Sequence, residues 1–270
     1  MKPCVHGYDD GELVRLEDQA GILSDLLHRE IRYRPGEEVL EAGCGVGAQT
    51  LFLARNSPDA RFTSIDISAE SIATARLRLS EAGITNVALE ETDLFALHPG
   101  EKSFDSIFVC FLLEHLSEPV RALCHLRSML RPGGRISVIE GDHGSFFCHP
   151  ETALSRRVVR CLVELQRECG GDSLIGRKLH PLLKESGYRG IEVSPRTVYA
   201  DAGRPEWVEG FSRRTFIKMI EGVRDRVLER DMISPDNWNR GIGDLYRATE
   251  RDGTFCYTFF RAFAYRDPLP

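Results

Sequence analysis

Three glycines at alternate positions and a downstream aspartate form the most informative pattern in the sequence. Gly43, Gly45 and Gly47 follow a short apolar run that ends at Glu41, and Asp66 comes nineteen positions after Gly47. Glycine lets the backbone adopt positive φ and leaves no side chain in the way of a ligand. An acidic side chain at about this distance is placed to bind the hydroxyls of a ribose. The pattern therefore predicts a nucleotide-type ligand at this loop.

The residues around these glycines predict that the loop joins a strand to a helix. Val39 and Leu40 are β-like, and a helical pattern begins near Ala48. A second short strand, 62–65, ends just before Asp66. Ligands of open α/β sheets bind at the carboxyl ends of the strands. We therefore expect the glycine loop and Asp66 to meet at one edge of a sheet.

Two further strands should bring side chains to the same edge. The run 86–91 precedes Asp93, and the apolar run 104–110 ends at Cys110 and is soon followed by His115. The second run is apolar throughout most of its length, as expected of a central strand buried on both faces. Asp93 is open to two interpretations, a ligand contact or an aspartate that stabilises a turn.

A fifth strand at 135–140 completes five alternating β/α units, which indicates a doubly wound, mostly parallel sheet. A turn is expected at 141–145, and it would carry Asp142 and His143 to the ligand edge. Histidine titrates near neutral pH and could act as a general base, with Asp142 orienting it or binding a cationic substrate. Four side chains in this region are metal ligands by type: Asp142, His143, Cys148 and His149. Their spacing matches no standard zinc pattern, so we predict no metal site.

Several of these motifs resemble those of the class I S-adenosylmethionine (SAM)-dependent methyltransferases. The run Glu-Ala-Gly-Cys-Gly-Val-Gly at 41–47 looks like the first motif of that family. Leu-Glu-His-Leu at 113–116 is similar to the signature of the ubiquinone-biosynthesis-type members, and Leu-Arg-Pro-Gly-Gly at 130–134 is a further family feature. The resemblance covers residues 39–139. It implies a Rossmann-like α/β fold with a seven-stranded sheet, mostly parallel, and with helical lid insertions.

The resemblance also implies a set of site residues. Asp66 would bind the ribose of SAM, Asp93 and Leu94 its adenine, and a helix at 9–30 would close over it, although that helix could instead only cover the sheet. The predicted cofactor residues are Tyr8, Arg15, Glu41, Gly43, Gly45, Gly47, Gln49, Asp66, Ile67, Asp93, Leu94 and Cys110. The predicted catalytic residues are His143 and His115, and the predicted substrate residues are Asp142 and His143.

The function implied is methyl transfer from SAM to a small-molecule acceptor by in-line displacement, which gives S-adenosylhomocysteine. Two other functions stay open. A nicotinamide-dependent oxidoreductase shares the strand, glycine loop, helix and acid, but its G-x-G-x-x-G spacing is missing here. A SAM-binding sensor or scaffold without transferase activity would carry the same cofactor residues.

Composition favours a globular protein of the cytoplasm. The net charge of −6 argues against a broad nucleic-acid surface. No run of about 18 apolar residues predicts a membrane span, and the N-terminal sequence has no signal-peptide core. The eight cysteines are scattered without a C-x-x-C pair, so we expect buried free thiols.

The chain of 270 residues is expected to form a single methyltransferase domain. Its cofactor-binding core would span about 33–147, and a terminal edge strand would span 253–266. The segments 148–176 and 201–252 are predicted to be helical insertions. They could form a lid over the substrate pocket or a dimer interface, so the protein could be a monomer or a homodimer.

Overall fold

The structure, a computed structural model, describes residues 21–98, 100 and 103–267, and its seven strands form one sheet. The strands are β1 Glu38–Ala42, β2 Arg61–Asp66, β3 Val87–Glu91, β4 Phe104–Cys110, β5 Leu130–His149, β6 Arg189–Asp201 and β7 Thr254–Tyr265. Their order in the sheet is β3-β2-β1-β4-β5-β7-β6. The neighbours from β3 through β5 pair in parallel. The predicted α/β fold with a mostly parallel seven-stranded sheet is confirmed.

Helices alternate with the parallel strands as predicted. The α-helices longer than four residues are α1 Ala48–Asn56, α2 Ala69–Glu81, α3 Pro119–Met129, α4 Ala153–Glu168, α5 Leu179–Glu185, α6 Arg224–Glu229 and α7 Pro235–Arg247. Residues 21–28 are helical as well. Short side chains begin several of these helices. The Ser68 hydroxyl accepts a hydrogen bond from the Ser71 N–H at 3.2 Å, which caps α2 as its sequence predicts.

The chain divides into two compact units. The first, which we call the sheet unit, comprises Ser24–Gly141, Ile175–Pro195 and the residues from Phe260 onward. The second, which we call the helical unit, is made of Asp142–Leu174 and Arg196–Phe259, together with residues 21–23. The sequence assigns both to one domain, and that assignment stays a prediction.

The core of the sheet unit lies on both faces of its central strands. Leu40 of β1 and Ile107 and Val109 of β4 are fully buried on one face, and Val39 of β1 and Phe108 of β4 are fully buried on the other. Because helices cover both faces of such a sheet, its central strands become continuous apolar runs rather than alternating ones. This is why β4 could be recognised from the sequence as a central strand.

The helical unit collects most of the two segments that were predicted as insertions. Its helices α4 and α7 pack closely: a Cβ placed on Gly241 would lie 2.6 Å from the Val158 Cγ1 atom. The Thr152 hydroxyl, which caps α4, also lies 2.5 Å from the Asp244 carboxylate of α7. Between β6 and α6 the chain forms a π-helix, Val208–Ile217. The predicted lid over a substrate pocket stays a prediction.

Two expectations from the sequence are wrong. The turn expected at 141–145 does not form, because β5 continues as a strand to His149. Ser145 explains the continuation, since its hydroxyl accepts a hydrogen bond from the Thr258 N–H of β7 at 2.9 Å. Free thiols were expected throughout, yet Cys169 is disulfide-bonded, and Cys124 is free but exposed. The spacing of cysteines in a sequence does not reveal which of them pair.

No helix among the described residues is both long enough and apolar enough to cross a membrane. Tyr8 and Arg15, which were predicted to reach the cofactor, lie outside the described residues.

Candidate cofactor site

The glycine loop between β1 and α1 adopts a conformation that depends on its glycines. Gly43 and Gly47 have φ of 76° and 75°, in the left-handed region that other residues avoid. Gly47 also has no room for a side chain, because an added Cβ would lie 2.9 Å from the Ala75 Cβ of α2. At Gly45 an added Cβ would meet nothing within 4 Å. The loop is therefore closed on the side of α2 and open at its centre.

Asp66 and the glycine loop are in direct contact. The Asp66 carboxylate accepts a hydrogen bond from the Gly45 N–H at 2.9 Å through Oδ2 and another from the Ser68 N–H at 2.9 Å through Oδ1. The Thr92 N–H donates to the Asp66 backbone carbonyl at 2.9 Å, which joins the end of β3 to the end of β2. The carboxylate is half-buried, so it stays accessible at the open part of the loop.

Glu41, at the end of β1, is buried beneath this loop. Its Oε2 atom accepts a hydrogen bond from the Ser64 hydroxyl of β2 at 2.7 Å. Burial raises the pKa of Glu41 to about 7, and the nearby Asp66 charge adds to the increase while the Ser64 hydrogen bond offsets part of it. A carboxyl with such a pKa can gain or lose a proton near neutral pH.

Asp93, at the end of β3, is exposed and stabilises the turn that follows it. Its Oδ1 atom accepts a hydrogen bond from the Phe95 N–H at 2.9 Å and caps the 3₁₀ helix Leu94–Ala96. Leu94 packs against the core, whereas the Ile67 side chain beside Asp66 is 66% exposed. The capping role exists in the structure, and the adenine role of Asp93 and Leu94 stays a prediction.

Residues 39–134 match the family model of a methyltransferase domain. This segment is therefore a class I SAM-dependent methyltransferase domain. A 37.1 kDa uncharacterized protein in transposon TN4556 of Streptomyces fradiae is 34% identical over 185 residues, which are 67% of this chain and 52% of that protein. The 27-O-demethylrifamycin SV methyltransferase of Amycolatopsis mediterranei is 27% identical over 83% of this chain and 77% of that enzyme.

The likeness extends to solved structures. Phosphoethanolamine N-methyltransferase 2 of Haemonchus contortus, solved in complex with SAM, has a TM-score of 0.57 at 16% identity, over 97% of this chain and 58% of that one. At this identity the likeness concerns the fold alone. The chain spans about half the length of the first two curated relatives that it matches.

Two buried polar side chains, Cys110 and Glu140, lie near the end of β4. Cys110 is buried, and burial, followed by the charge of Glu140, raises the pKa of its thiol well above the usual range. Glu140 of β5 is fully buried, and its Oε1 atom accepts hydrogen bonds from the backbone N–H groups of Leu112 at 3.1 Å and Leu113 at 2.7 Å. Sequence analysis missed Glu140, although a single acid within an apolar strand could have indicated it.

A second buried group that sequence analysis missed lies next to α1. His28 is 1% exposed, and its ring meets Phe108 edge-on at 5.7 Å and stacks on Phe52 at 6.5 Å. Burial lowers the pKa of His28 to about 4. The side chain of Gln49, a predicted cofactor residue in the first turn of α1, partly opposes that shift.

The two predicted catalytic histidines have different surroundings. His115 is exposed, and its Nε2 atom lies 3.8 Å from the Glu114 carboxylate. His143 is buried in the helical unit, where its Nδ1 atom is 2.6 Å from the Tyr257 hydroxyl and its ring packs against Phe216. Tyr257 was not predicted, because 114 residues separate it from His143.

Asp142 precedes His143 in the helical unit and is buried. Its Oδ1 atom accepts a hydrogen bond from the Gly144 N–H at 3.0 Å. Among the described residues, no three side chains of His, Cys, Asp or Glu form a cluster that could hold a metal ion. The alternative of a metal site at 142–149 therefore gains no support.

Proposed function

We propose that this protein transfers a methyl group from SAM to a small-molecule acceptor. The observation that carries the proposal is the contact between Asp66 and the Gly45 N–H, within the segment that matches the methyltransferase family model. A half-buried carboxylate beside open, side-chain-free backbone suits the ribose of an adenosyl group. The same arrangement would suit a nicotinamide dinucleotide less well, because the glycine spacing of that motif is missing.

The residues of the sheet unit fit SAM. Gly45 leaves space above the loop, and Asp66 offers carboxylate oxygens to the ribose hydroxyls. Glu41 could exchange its buried proton for an interaction with the ammonium group at the methionine end, since its pKa is near 7. Asp93 and Leu94 would contact the adenine, as the family resemblance implies. When bound, SAM would supply a methyl group already activated on a sulfonium, so the protein mainly has to align the acceptor and exclude water.

His143 is the proposed general base, and Tyr257 decides whether it can act as one. If the Tyr257 hydroxyl accepts from Nδ1–H, the Nε2 atom of His143 carries the lone pair that a base needs. If the hydroxyl donates to Nδ1, Nε2 bears the proton instead. We propose the first tautomer, in which Tyr257 orients the ring and Nε2 removes a proton from the acceptor. A positioned base of this kind accelerates transfer by about 10²–10⁴-fold.

The proposed acceptor is a lipophilic molecule with a hydroxyl or an acidic carbon, because Leu-Glu-His-Leu at 113–116 resembles enzymes that act on such compounds. The relative from Amycolatopsis, by its name an O-methyltransferase, agrees with this class. Amine methylation is the second candidate, and the buried Asp142 is the observation that favours it. We propose the cytoplasm as its location, since most of the described cysteines are free thiols.

The decisive experiment uses calorimetry to measure SAM affinity. It compares the wild type with two variants at Asp66 and one control variant at Asp59. Asp66→Ala should weaken binding by at least about tenfold, as expected when a charge-assisted hydrogen-bond pair of about 1.5–3 kcal/mol is lost. Asp66→Asn keeps an oxygen that can accept from the Gly45 N–H but loses the negative charge. This variant therefore tests the contribution of the charge to ribose binding while the hydrogen bond to the loop is retained. Asp59→Ala, at an exposed turn aspartate of the same unit, should change nothing.

Ligand identity and activity are tested in parallel. Binding of NAD in place of SAM would refute the proposal in favour of an oxidoreductase. Tight SAM binding without transfer of a labelled methyl group to any member of a broad acceptor panel would favour a sensor or scaffold. Unchanged SAM affinity in Asp66→Ala would remove the ribose role.

A further inference from the structure

Glu140 is a buried acid that the proposed chemistry does not use. It is fully buried on β5, directly after the apolar residues Val138 and Ile139. A carboxyl group in such a place is costly unless its oxygens are hydrogen-bonded. Its presence therefore calls for a role that an apolar residue could not fill.

The contacts of Glu140 all reach the segment that follows β4. Its Oε1 atom accepts from the N–H groups of Leu112 and Leu113, at 3.1 and 2.7 Å. The preceding residue, Phe111, has φ of 55°, so the chain turns sharply at a non-glycine residue in the left-handed region. The Ile139 carbonyl accepts from the Phe111 N–H at 3.0 Å. Residues 111–113 are thus held against β5 by three hydrogen bonds, two of which depend on the Glu140 side chain.

The held segment is in contact with the glycine loop. A Cβ placed on Gly43 would lie 3.0 Å from the Leu112 Cδ1 atom and 3.3 Å from its Cβ. The Leu112 side chain therefore covers Gly43 and forms a wall of the loop. Any change in the backbone at 112–113 moves this side chain relative to the loop.

We propose that Glu140 is a positioning residue for the cofactor site, which seats Leu112 against Gly43 by accepting the two backbone hydrogen bonds. The inference rests on the proposed function, since the site is the one assigned to SAM. An acceptor, rather than a negative charge, is what this role requires. Burial raises the pKa of Glu140 well above the usual range, and the neighbouring Glu114 charge adds to the increase. Both hydrogen bonds are accepted by the single atom Oε1, so the oxygen of an amide at the same place could accept them as well.

Three substitutions separate the acceptor from the charge. Glu140→Gln keeps an acceptor at the same distance and should leave SAM affinity within about threefold of wild type. Glu140→Leu removes the acceptor, leaves the Leu112 and Leu113 N–H groups without it, and should weaken SAM binding by about tenfold or more. Glu140→Asp keeps a carboxyl group but shortens the side chain by one methylene. Its SAM affinity should lie between those of Glu140→Gln and Glu140→Leu. If Glu140→Leu does not fold, the comparison of Gln with Asp still decides the matter.

A double-mutant cycle tests whether the effect passes through Leu112. The loss of SAM affinity caused by Glu140→Leu, or by Glu140→Asp, should shrink in a Leu112→Ala background, because there is no longer a side chain to position. Leu182→Ala, at a partly buried leucine packed on the same core, serves as the control and should add independently. The proposal would be overturned if the Glu140 substitution caused the same loss of SAM affinity in the wild-type, Leu112→Ala and Leu182→Ala backgrounds. It would also be overturned if Glu140→Gln bound SAM as weakly as Glu140→Leu.

A measurement without ligand keeps this proposal separate from the proposed function. The methyl resonances of Leu112 in ¹³C NMR spectra, assigned by their loss in Leu112→Ala, should move in the Leu and Asp variants and stay in place in Glu140→Gln. If the wild type fails to bind SAM, the proposed function falls, while these spectra still report whether Glu140 seats Leu112. If SAM binds and the Leu112 resonances are identical in all variants, only the positioning role falls.

Discussion

Replacing Glu41 by Gln should remove a pH-dependent loss of stability from the ligand-free protein. Burial raises the pKa of Glu41 from 4.5 to about 7 in the folded chain. Between these values the folded state holds a proton that the unfolded state has released, so stability falls as pH rises, by about 1.4 kcal/mol per pH unit. Over the interval of about 2.5 units, the wild type loses about 3 kcal/mol that Glu41→Gln does not lose.

The assay is urea unfolding of both proteins at several pH values from about 5 to 8.5, without ligand. The amide of Glu41→Gln can accept from Ser64, and burying its new N–H₂ group costs up to about 3 kcal/mol, by the same amount at every pH. The diagnostic quantity is therefore the change with pH, not the offset. Relative to wild type, the variant should gain about 2–3 kcal/mol between pH 5 and pH 8.5.

Two comparisons make the result specific. Glu81→Gln, at an exposed residue that ends α2, should follow the wild-type pH profile. Other buried titratable groups are present in both proteins, so they cancel in the difference. A difference between Glu41→Gln and wild type that stays constant across the pH range would refute the reasoning, because it would mean that Glu41 ionises in the folded chain as it does in water.

Three further outcomes are expected. His28→Leu should make stability less dependent on acid. Because folding lowers the pKa of His28 from 6.5 to about 4, the wild type loses about 2 kcal/mol of unfolding free energy between pH 7 and pH 5. The variant should keep this stability, as measured by urea unfolding. Gly47→Ala should lower the free energy of unfolding by about 1–3 kcal/mol, because position 47 has positive φ and an added Cβ meets Ala75. Adding Ala75→Gly should restore only part of this stability, since it relieves the clash but not the backbone strain. Full restoration would contradict the argument from φ. Tyr257→Phe and His143→Ala should each reduce turnover with little change in SAM affinity. The double variant should be no slower than His143→Ala, because Tyr257 acts through His143. Additive losses of turnover would show that Tyr257 does not act through His143.

Local patterns explain why much of the fold and the cofactor loop could be predicted. The strand, the glycines and the start of α1 lie within a dozen residues, and each follows from a backbone preference. The contact of Asp66 with the loop follows from a rule about parallel strands, because β1 and β2 end at the same edge. Helix α4 begins after Thr152 since a capping hydroxyl and an apolar stripe mark its start.

Features decided by distant residues could not be predicted in the same way. Gly141, Gly144 and Ser145 have the composition of a turn, yet the hydrogen bond from Thr258 to Ser145 keeps that stretch in β5. The 114-residue separation of Tyr257 from His143 hid the pair for the same reason. Glu140 differs from both, since its signal was local but its partners, two backbone N–H groups, carry no sequence signature.

Two kinds of buried titratable group in the sheet unit change stability in opposite directions as pH changes below about 6.5. His28 costs stability as pH falls from 6.5 to about 4, because the folded state resists the proton that the unfolded state binds. Glu41 and Glu140, whose pKa values are raised, cost stability as pH rises. Above about pH 6.5 His28 is neutral in both states, while the raised pKa of Glu41 continues to lower stability up to about pH 7 and the raised pKa of Glu140 acts in the same direction. Glu41 lies beneath the glycine loop, so a cation bound there would offset the cost of its ionisation.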